Sequence, residues 1–461
     1  MNWGCKKAML KISDILKATG GELIKGSQDT EITAINTDTR IIKEGMLFVA
    51  LIGDTFDGND YVNQAAGAGA AGCVVSRRVE ADTSLILVDD TTKALGKIAK
   101  YYKEKFCVPF VGITGSVGKT TTKDMISCAL SAKYNVLKTQ KNFNNHIGLP
   151  LTLLRLNSEH QVGVVEMGMS GFGEIDYLAG LVNPSVAVFT NIGLSHVEKL
   201  GSRKNILKAK TELLSHLPDD GFVVLCADDD MLLSLKESLK HKHIYYGTEN
   251  KDADLRAENI FSDGVNTEFD IIDNGNRYHA VIPVLGDHNV KNALAAYAVA
   301  RHFNTEPEDI ISALKDFVPG KMRQNILHSG GITVINDCYN ASPSSVEAGL
   351  KILNQLKGER KIAVLGDMLE MGELSEYAHR LVGKYVVDFG VDFLITVGNK
   401  SGEIATGAVN HGFNQKNAKS FKDNKSAIEF LDSFIKSGDI VLVKASRSMK
   451  LEEISEHLLG F

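Results

Sequence analysis

The segment from residue 112 to residue 121, GITGSVGKTT, has the residue types of a phosphate-binding loop. Glycines at positions 115 and 118 allow backbone N–H groups to approach phosphate oxygens closely, and a helix that begins near Lys119 adds the positive end of its dipole. Lys119 supplies a full charge for the β- and γ-phosphates, and Thr120 supplies a hydroxyl for Mg²⁺. The residues predicted to hold a nucleoside triphosphate are Gly115, Ser116, Val117, Gly118, Lys119, Thr120 and Thr121.

The spacing of this loop departs from the usual pattern. Four residues normally separate the outer glycine from the Gly-Lys pair, whereas five follow Gly112, and the variant Thr-Gly-x-x-Gly-Lys-Thr fits instead. The alternative is a strand-turn-helix corner in which the glycines only allow close packing. The Gly-Lys-Thr triplet at a strand-helix junction favours phosphate binding.

Two further polar residues follow predicted strands and could bind a metal ion. Glu166 ends the apolar run 162–165, and His196 follows a strand predicted over 186–189. A carboxylate suits Mg²⁺, and a neutral imidazole is a competent metal ligand. Taken alone, Glu166 would more often be a solvated loop residue and His196 a structural histidine, so both alternatives stay open.

Length and composition limit the kind of protein. A chain of 461 residues exceeds a single hydrophobic core and predicts roughly three domains. The net charge of −6 gives no field that attracts polyanions, so nucleic acid is not expected as a partner. The 6 cysteines form no CxxC pair, which is typical of reduced thiols. With no signal peptide and no run of about eighteen apolar residues, we expect a cytoplasmic protein without membrane contact.

Alternating strands and helices must position these residues. Before Lys105, β-rich runs such as 46–51 alternate with helical stretches such as 61–71, which indicates a small α/β domain over residues 1–105. A basic helix is predicted over 97–105, and the strand predicted over 110–114 then leads into the glycine loop. It begins a central domain over 106–317 with a mostly parallel sheet covered on both faces, whose further strands are predicted over 162–165, 186–189 and 222–225.

A third α/β domain is predicted over 318–461. Its strands are expected at 362–365, 393–397 and 440–443, and each is followed by a polar or glycine position. In open α/β sheets ligands bind beyond the carboxyl ends of the strands, so these loops should contact substrate.

Three segments between residues 112 and 214 resemble the Mur ligases, the amide-forming enzymes of peptidoglycan synthesis. They are GITGSVGKTTT, EMGMSGFGEI, and TNIGLSHVEKLGS followed by KAKTELL. The resemblance implies a three-domain α/β fold: a small UDP-binding domain, a P-loop-type central domain with a mostly parallel sheet, and a Rossmann-like C-terminal domain.

The same resemblance implies a metal site and a modified lysine. In that family the residues matching Glu166 and His196 bind magnesium, and the lysine matching Lys210 is commonly carbamylated. An ammonium cannot ligate a cation, whereas a carbamate presents a carboxylate-like end; by sequence pattern alone Lys210 would be an exposed helical lysine. The resemblance implies ATP, two Mg²⁺ ions held by Thr120, Glu166, His196 and carbamylated Lys210, and catalytic roles for Lys119, Glu166, His196 and Lys210.

Later segments extend the resemblance over nearly the whole chain. Asn289 and Asn292 match a segment that contacts adenine, although the pattern alone could be an alanine-rich core helix. Arg323 and Asp337 match residues that reach the nucleotide from the third domain. ATP is therefore expected between two domains, whose closure completes the site.

The segment Thr37-Asp38-Thr39-Arg40, with Asp57 and Gly58 behind it, resembles the UDP-binding domain of the family. Arg40 could contact a phosphate in bidentate fashion, or Asp38 could pair with it as an ordinary turn salt bridge. The substrate-binding residues that the resemblance implies are Asp38, Thr39, Arg40, Asp57, Gly58, Asn144 and Asn340.

The string YNASP at residues 339–343 resembles the signature of one branch of the family, whose members add D-alanyl-D-alanine to UDP-N-acetylmuramoyl-tripeptide. LGDMLEMG at residues 365–372 resembles the same branch, while Asn336, Ser342 and Ala445 depart from its pattern. The implied function is an ATP-dependent amide ligase that acts through an acyl phosphate, as a monomer. The alternatives are a sister ligase that adds the third amino acid, a related amide ligase such as a folylpolyglutamate synthase, and a P-loop ATPase switch that forms no bond.

Overall fold

The computed structural model describes residues 9–320 and 322–460 and contains three large sheets in successive parts of the chain. The elements of the first part are β1 (Leu10–Lys11), α1 (Ile12–Thr19), β2 (Glu22–Lys25), β3 (Glu31–Ile32), β4 (Ala34–Asn36), β5 (Met46–Val49), α2 (Val62–Gly67), β6 (Gly72–Val75), β7 (Ser84–Leu87) and α3 (Thr91–Lys103). The first sheet has the order β2-β7-β6-β5-β4, in which only β2 is antiparallel to its neighbour.

Two elements of the first part differ in extent from their predictions. The helix predicted over 61–71 is a 3₁₀ turn, Gly58–Tyr61, followed by α2, and the chain leaves the helix through Gly69 at φ = 88°. The basic helix predicted from Lys97 begins earlier, at Thr91, because the Asp90 side chain accepts hydrogen bonds from the first free backbone N–H groups. Both boundaries depend on caps that hydrophobic periodicity does not show.

The central part carries a sheet of nine strands in the order β9-β10-β8-β11-β12-β13-β14-β15-β16. Its elements are β8 (Phe110–Thr114), α4 (Lys119–Ser131), β9 (Val136–Lys138), α5 (Gly148–Leu153), β10 (Val162–Glu166), α6 (Glu174–Val182), β11 (Val186–Phe189), α7 (Val197–Leu200), α8 (Arg203–Thr211), β12 (Phe222–Cys226), α9 (Asp230–Leu233), β13 (Lys242–Gly247), β14 (Leu255–Ser262), β15 (Thr267–Asp273), β16 (Asn276–Ile282), α10 (Asp287–His302) and α11 (Pro307–Lys315). The strands from β9 to β14 are parallel, as predicted, and β14 to β16 form an antiparallel extension that the sequence analysis missed.

The third part has a six-stranded sheet in the order β17-β18-β22-β19-β20-β21, parallel except for β17. Its elements are β17 (Asn325–Ser329), β18 (Ile332–Asn336), α12 (Pro343–Gln355), β19 (Arg360–Gly366), α13 (Ser375–Asp388), β20 (Phe393–Val397), α14 (Gly402–Asn410), β21 (Ala418–Phe421), α15 (Asn424–Phe434), β22 (Asp439–Lys444) and α16 (Glu452–Leu459).

Burial explains why the parallel strands were recognisable. Every residue of β8 and of β22 is buried, because helices cover both faces of each parallel sheet. The predicted three-domain α/β fold is confirmed, while the domain boundaries at 105 and 317 stay predictions. Among the described residues, none of the helices combines the length and the apolar character that crossing a bilayer requires.

Candidate functional site

A cleft of about 710 Å³ lies between the central and third sheets, and loops at the carboxyl ends of their parallel strands line it. The predicted site residues that line the cleft are Ser116, Val117, Gly118, Lys119, Thr120, Thr121, Asn144, Glu166, His196, Asn289, Asn292, Arg323, Asp337 and Asn340. Lys210 lies directly behind the glycine loop, where its Nζ donates a hydrogen bond to the carbonyl of the loop residue Gly115 at 2.9 Å. The structure thus brings most of the predicted residues together.

The glycine loop is braced by the two residues that follow β11. The N–H of Val117 donates to Oδ1 of Asn191 at 2.9 Å, and Oγ1 of Thr190 donates to the Val117 carbonyl at 2.7 Å. A Cβ at position 115 would lie 1.8 Å from Oγ1 of Thr190, so this close approach requires glycine. Gly118 caps α4 with φ = 86°, and the N-terminus of this 13-residue helix opens into the cleft.

The ammonium group of Lys119 folds back over this loop. It donates to the carbonyls of Gly115 and Ser116 at 2.8 and 3.3 Å. Burial lowers the pKa of Lys119, and the nearby Glu166 carboxylate acts in the opposite direction. A cation held over backbone carbonyls can turn towards a phosphate without leaving the loop.

Glu166 lies at the carboxyl end of β10 and is 2% exposed. Its two oxygens accept hydrogen bonds from Oγ1 of Thr120 at 2.7 Å and from Nδ2 of Asn144 at 2.8 Å. The pairing of β10 with β8 sets Glu166 beside Ile113 and hence beside the loop. Thr120 and Glu166, which were both predicted to bind metal, are therefore in direct contact, and their role stays a prediction.

Lys210 of α8 is 1% exposed, so its side chain faces the core and not the solvent. Burial, together with the nearby charge of Lys119, lowers the pKa of Lys210 well below that of an ordinary lysine. The amine is thus held next to the phosphate loop in surroundings that favour its neutral form.

His196 caps α7 in a left-handed conformation, with φ = 65°. Its Nδ1 lies 2.6 Å from Oε2 of Glu370, a residue of the third part, although no well-aligned hydrogen bond joins the two atoms. The contact with His196 lowers the pKa of the Glu370 carboxyl. A residue predicted to bind metal is therefore in contact with the third part of the chain.

Two amides of α10 form a buried chain beside the loop. Oδ1 of Asn292 accepts from Oγ1 of Thr122 at 2.9 Å, and its Nδ2 donates to Oδ1 of Asn289 at 3.1 Å. Asn289 in turn donates to the Leu285 carbonyl and to Oε1 of Gln324. The amides thus link α4, α10 and the beginning of the third part.

The third part contributes a stacked cation and a buried ion pair. The guanidinium of Arg323 lies 3.9 Å from the centroid of the Tyr339 ring. Nζ of Lys444 lies 2.7 Å from Oδ2 of Asp337 and donates to the Asn340 carbonyl at 2.9 Å. The predicted residues Asp337 and Asn340 are both anchored by the last residue of β22.

The residues predicted in the first part do not line this cleft. Arg40 pairs with the neighbouring Asp38 through two short contacts of 2.9 and 2.7 Å, which is the turn salt bridge that the sequence analysis kept as an alternative. Oδ1 of Asp57 accepts from the Asn59 backbone, and a Cβ at Gly58 would lie 2.4 Å from the Leu51 carbonyl. These residues stay predictions for a separate uridine-diphosphate site.

Four residues that contact the site received no role in the sequence analysis. They are the loop braces Thr190 and Asn191, the anchor Lys444 and the histidine partner Glu370. All of them lie within the strings that carried the family resemblance, or directly after a predicted strand end. That position was their signal, but their partners are far away in sequence and became visible only in the fold.

Comparison with known proteins agrees with this geometry. The Mur ligase family, catalytic domain, matches residues 31–103, the Mur ligase middle domain matches residues 113–300, and the Mur ligase, glutamate ligase domain, matches residues 322–447. The UDP-N-acetylmuramoyl-tripeptide--D-alanyl-D-alanine ligase of Bacillus subtilis (strain 168) is 40% identical, with 95% of this chain and 97% of that protein covered.

Two solved structures extend the likeness. The crystal structure of MurF from Acinetobacter baumannii has a TM-score of 0.91 at 31% identity and covers 98% of this chain and 99% of its own. MurF ligase from Thermotoga maritima in complex with ADP has a TM-score of 0.82 at 27% identity and covers 92% and 96%. The family models and the full-length relatives show that this chain belongs to the Mur ligase family.

Proposed function

We propose that this protein is an ATP-dependent ligase that joins D-alanyl-D-alanine to the terminal carboxylate of UDP-N-acetylmuramoyl-tripeptide. The observation that carries the proposal is the full-length likeness to ligases named for this reaction, combined with a phosphate loop that faces residues of the third part across one cleft. No feature of the cleft favours a sister ligase or a switch that forms no bond.

ATP fits the cleft by the chemistry of its walls. Residues 116–121 line the cleft, where the N-terminus of α4 and the Lys119 ammonium can contact the phosphates. The amides of Asn289 and Asn292 can exchange hydrogen bonds with a base edge, and Arg323 and Asp337 approach from the third part. The ADP complex of the Thermotoga maritima relative supports this assignment.

The donors beside the loop suit Mg²⁺. Oγ1 of Thr120 and the Glu166 carboxylate are hard oxygen donors in mutual contact at 2.7 Å. The described residues contain no group of three or more His, Cys, Asp or Glu side chains poised around one point. Two ions would therefore need phosphate oxygens in addition to Thr120, Glu166, His196 and the carbamate of a modified Lys210. When bound, such ions neutralise negative charge that develops during phosphoryl transfer.

Carbamylation of Lys210 is part of the proposal. Only an unprotonated amine can add to CO₂, and the buried position of Lys210 beside Lys119 favours that form. The addition releases one proton to solvent and leaves an anionic carbamate, which the Lys119 charge would stabilise. Carbamylation would turn a buried amine into an oxygen ligand next to the phosphate loop.

The reaction needs activation of a carboxylate, which is a poor electrophile. Transfer of the γ-phosphoryl group from ATP to the carboxylate gives an acyl phosphate and ADP. The free amine of D-alanyl-D-alanine then attacks the carbonyl carbon, and the tetrahedral intermediate loses phosphate and a proton to give the amide. Lys119 neutralises phosphate charge and the loop fixes its position, so the protein acts by placement and charge stabilisation.

The remaining predictions form part of the same proposal. Asp38, Thr39, Arg40, Asp57 and Gly58 would hold the uridine diphosphate end in a domain over residues 1–105. Asn144 and Asn340 would contact the peptide part of the substrate or the incoming amine from domains over 106–317 and 318–461. The protein would act as a cytoplasmic monomer.

A coupled assay of ADP release tests the proposal. Release should require both UDP-N-acetylmuramoyl-tripeptide and D-alanyl-D-alanine, with the dipeptide omitted, or replaced by free D-alanine, as matched controls. Release with UDP-N-acetylmuramoyl-dipeptide and a free amino acid would indicate a sister ligase. ADP release that ignores both substrates would indicate an ATPase switch and overturn the proposal.

A further inference from the structure

A loop of the third part packs against α7 of the central part. This loop, residues 367–372, contacts α7 at three points: Oε2 of Glu370 lies 2.6 Å from Nδ1 of His196, the Glu370 carbonyl accepts from the Glu198 N–H, and a Cβ at Gly372 would lie 3.1 Å from Glu198. The loop and the helix are thus packed closely and in a defined register.

Hydrogen bonds from three directions hold this loop inside the third part. The buried carboxylate of Asp367 accepts from the backbone N–H groups of residues 399–401. The N–H of Met368 donates to Nε2 of the buried His379, and the N–H of Leu369 donates to Oγ of Ser446. Glu370 is therefore presented from a rigid base, not from a mobile tip.

Both members of the contact have unusual backbone conformations. His196 has φ = 65° and Glu370 has φ = 61°, in the left-handed region that residues other than Gly, Asn and Asp seldom adopt. Such conformations persist only where the surroundings impose them, and they concentrate at functional sites. The surroundings here are the hydrogen bonds of the loop and the packing against α7.

We propose that Glu370 is a positioning residue. Its carboxylate holds the His196 ring with Nδ1 towards Glu370, so that Nε2 faces the cleft as a metal ligand. The inference rests on the proposed function, which places Mg²⁺ there. A carboxylate on the second nitrogen of a histidine ligand orients the ring and raises its basicity, and such partners change metal affinity by about 10- to 100-fold. The third part then completes a metal site whose ligands belong to the central part.

The consequence is a coupling between metal binding and the arrangement of the two parts. A metal ion held by His196 favours the arrangement in which Glu370 reaches the ring, and that arrangement in turn favours metal binding. Because the same cleft holds the phosphate loop, the third part would sense whether a metal-bound nucleotide is present.

The test is Mn²⁺ titrated into the ADP-loaded protein, with free Mn²⁺ followed by its EPR signal. Glu370→Gly removes the carboxylate while glycine adopts the positive φ without strain, so folding is preserved. We expect this variant to bind Mn²⁺ about tenfold more weakly or worse. Glu370→Gln should lose less, because its amide oxygen can lie beside Nδ1 of the ring at the place of the carboxylate oxygen. The matched control is Glu373→Gln, on an exposed neighbouring residue, which should leave the affinity unchanged.

A second Mn²⁺ titration, with a double variant, tests whether Glu370 acts through His196 or affects metal binding in another way. In a His196→Ala background, Glu370→Gly should have no further effect, because Glu370 acts through His196. Mn²⁺ affinity of Glu370→Gly within twofold of wild type, or tighter than wild type, would overturn the inference. ADP release by the wild-type protein is measured in parallel. If this release requires both substrates but Glu370→Gly binds Mn²⁺ as tightly as wild type, only this inference fails. If the wild-type protein releases ADP without the substrates, the proposed function fails.

Discussion

The buried ion pair between Lys444 and Asp337 gives a quantitative prediction for Lys444→Met. The lysine side chain is 3% exposed and the aspartate 10%, at a distance of 2.7 Å. Methionine keeps most of the volume but leaves the Asp337 carboxylate without a partner, and the Asn340 carbonyl loses a donor. Breaking a buried pair from one side costs about 3–5 kcal/mol, so we expect a loss of that order in the free energy of unfolding of the third domain.

The assay is urea unfolding followed by far-UV circular dichroism. With a slope of about 2.5 kcal/mol per molar, the expected cost moves the midpoint of the third domain down by about 1–2 M. Removing both charges in Lys444→Met/Asp337→Asn should recover much of the loss, since no unpaired charge remains. The control is Lys436→Met, an exposed lysine before the same strand, with an expected change within about 0.5 kcal/mol.

Two results would refute this reasoning. One is a single variant whose stability lies within about 1 kcal/mol of wild type, which would mean that the carboxylate is not effectively buried. The other is a double variant no more stable than Lys444→Met, which would mean that the loss comes from packing and not from charge. Either result would leave the anchoring of Asp337 without support.

Three further predictions concern the loop, the buried lysine and a buried histidine. Gly115→Ala would place a Cβ 1.8 Å from Oγ1 of Thr190, so calorimetry should show ADP binding at least tenfold weaker; unchanged affinity would contradict the loop geometry. Incubation with ¹³C-labelled CO₂ should give a carbamate NMR signal that is lost in Lys210→Met, and a signal that persists in this variant would place the modification elsewhere. Burial lowers the pKa of His379, so below about pH 6.5 the unfolded chain binds more protons than the folded protein. The free energy of unfolding should therefore fall as the pH is lowered, by up to about 1.4 kcal/mol per pH unit. His379→Leu should lack this component, and an identical acid slope in the variant would exclude His379 as its source.

The elements that sequence predicted best are those buried on both faces. The strands Phe110–Thr114, Val186–Phe189 and Phe393–Val397 coincide with their predictions, because a parallel strand under two helix layers must be continuously apolar. The antiparallel strands β14 to β16 alternate buried and partly exposed residues, and their pattern was missed. A half-exposed strand carries a weaker signal than a buried one.

The site was predictable in its parts but not in its contacts. The types and positions of Lys119, Thr120 and Glu166 indicated phosphate and metal chemistry from the sequence. The hydrogen bond from Lys210 to the Gly115 carbonyl was not predictable, because helical periodicity does not reveal a lysine that points into the core. The approach of Glu370 to His196 joins two domains, and only their packing brings these residues together.

The most direct test of the central claim is the product itself. The protein is incubated with ATP, Mg²⁺, UDP-N-acetylmuramoyl-tripeptide and D-alanyl-D-alanine. The products are then separated, identified and quantified by liquid chromatography with mass spectrometry. The account predicts UDP-N-acetylmuramoyl-pentapeptide in equal amount to ADP and phosphate, and neither product from Lys119→Ala. ADP formed without pentapeptide, or pentapeptide formed at a near-normal rate by a folded Lys119→Ala variant, would contradict it.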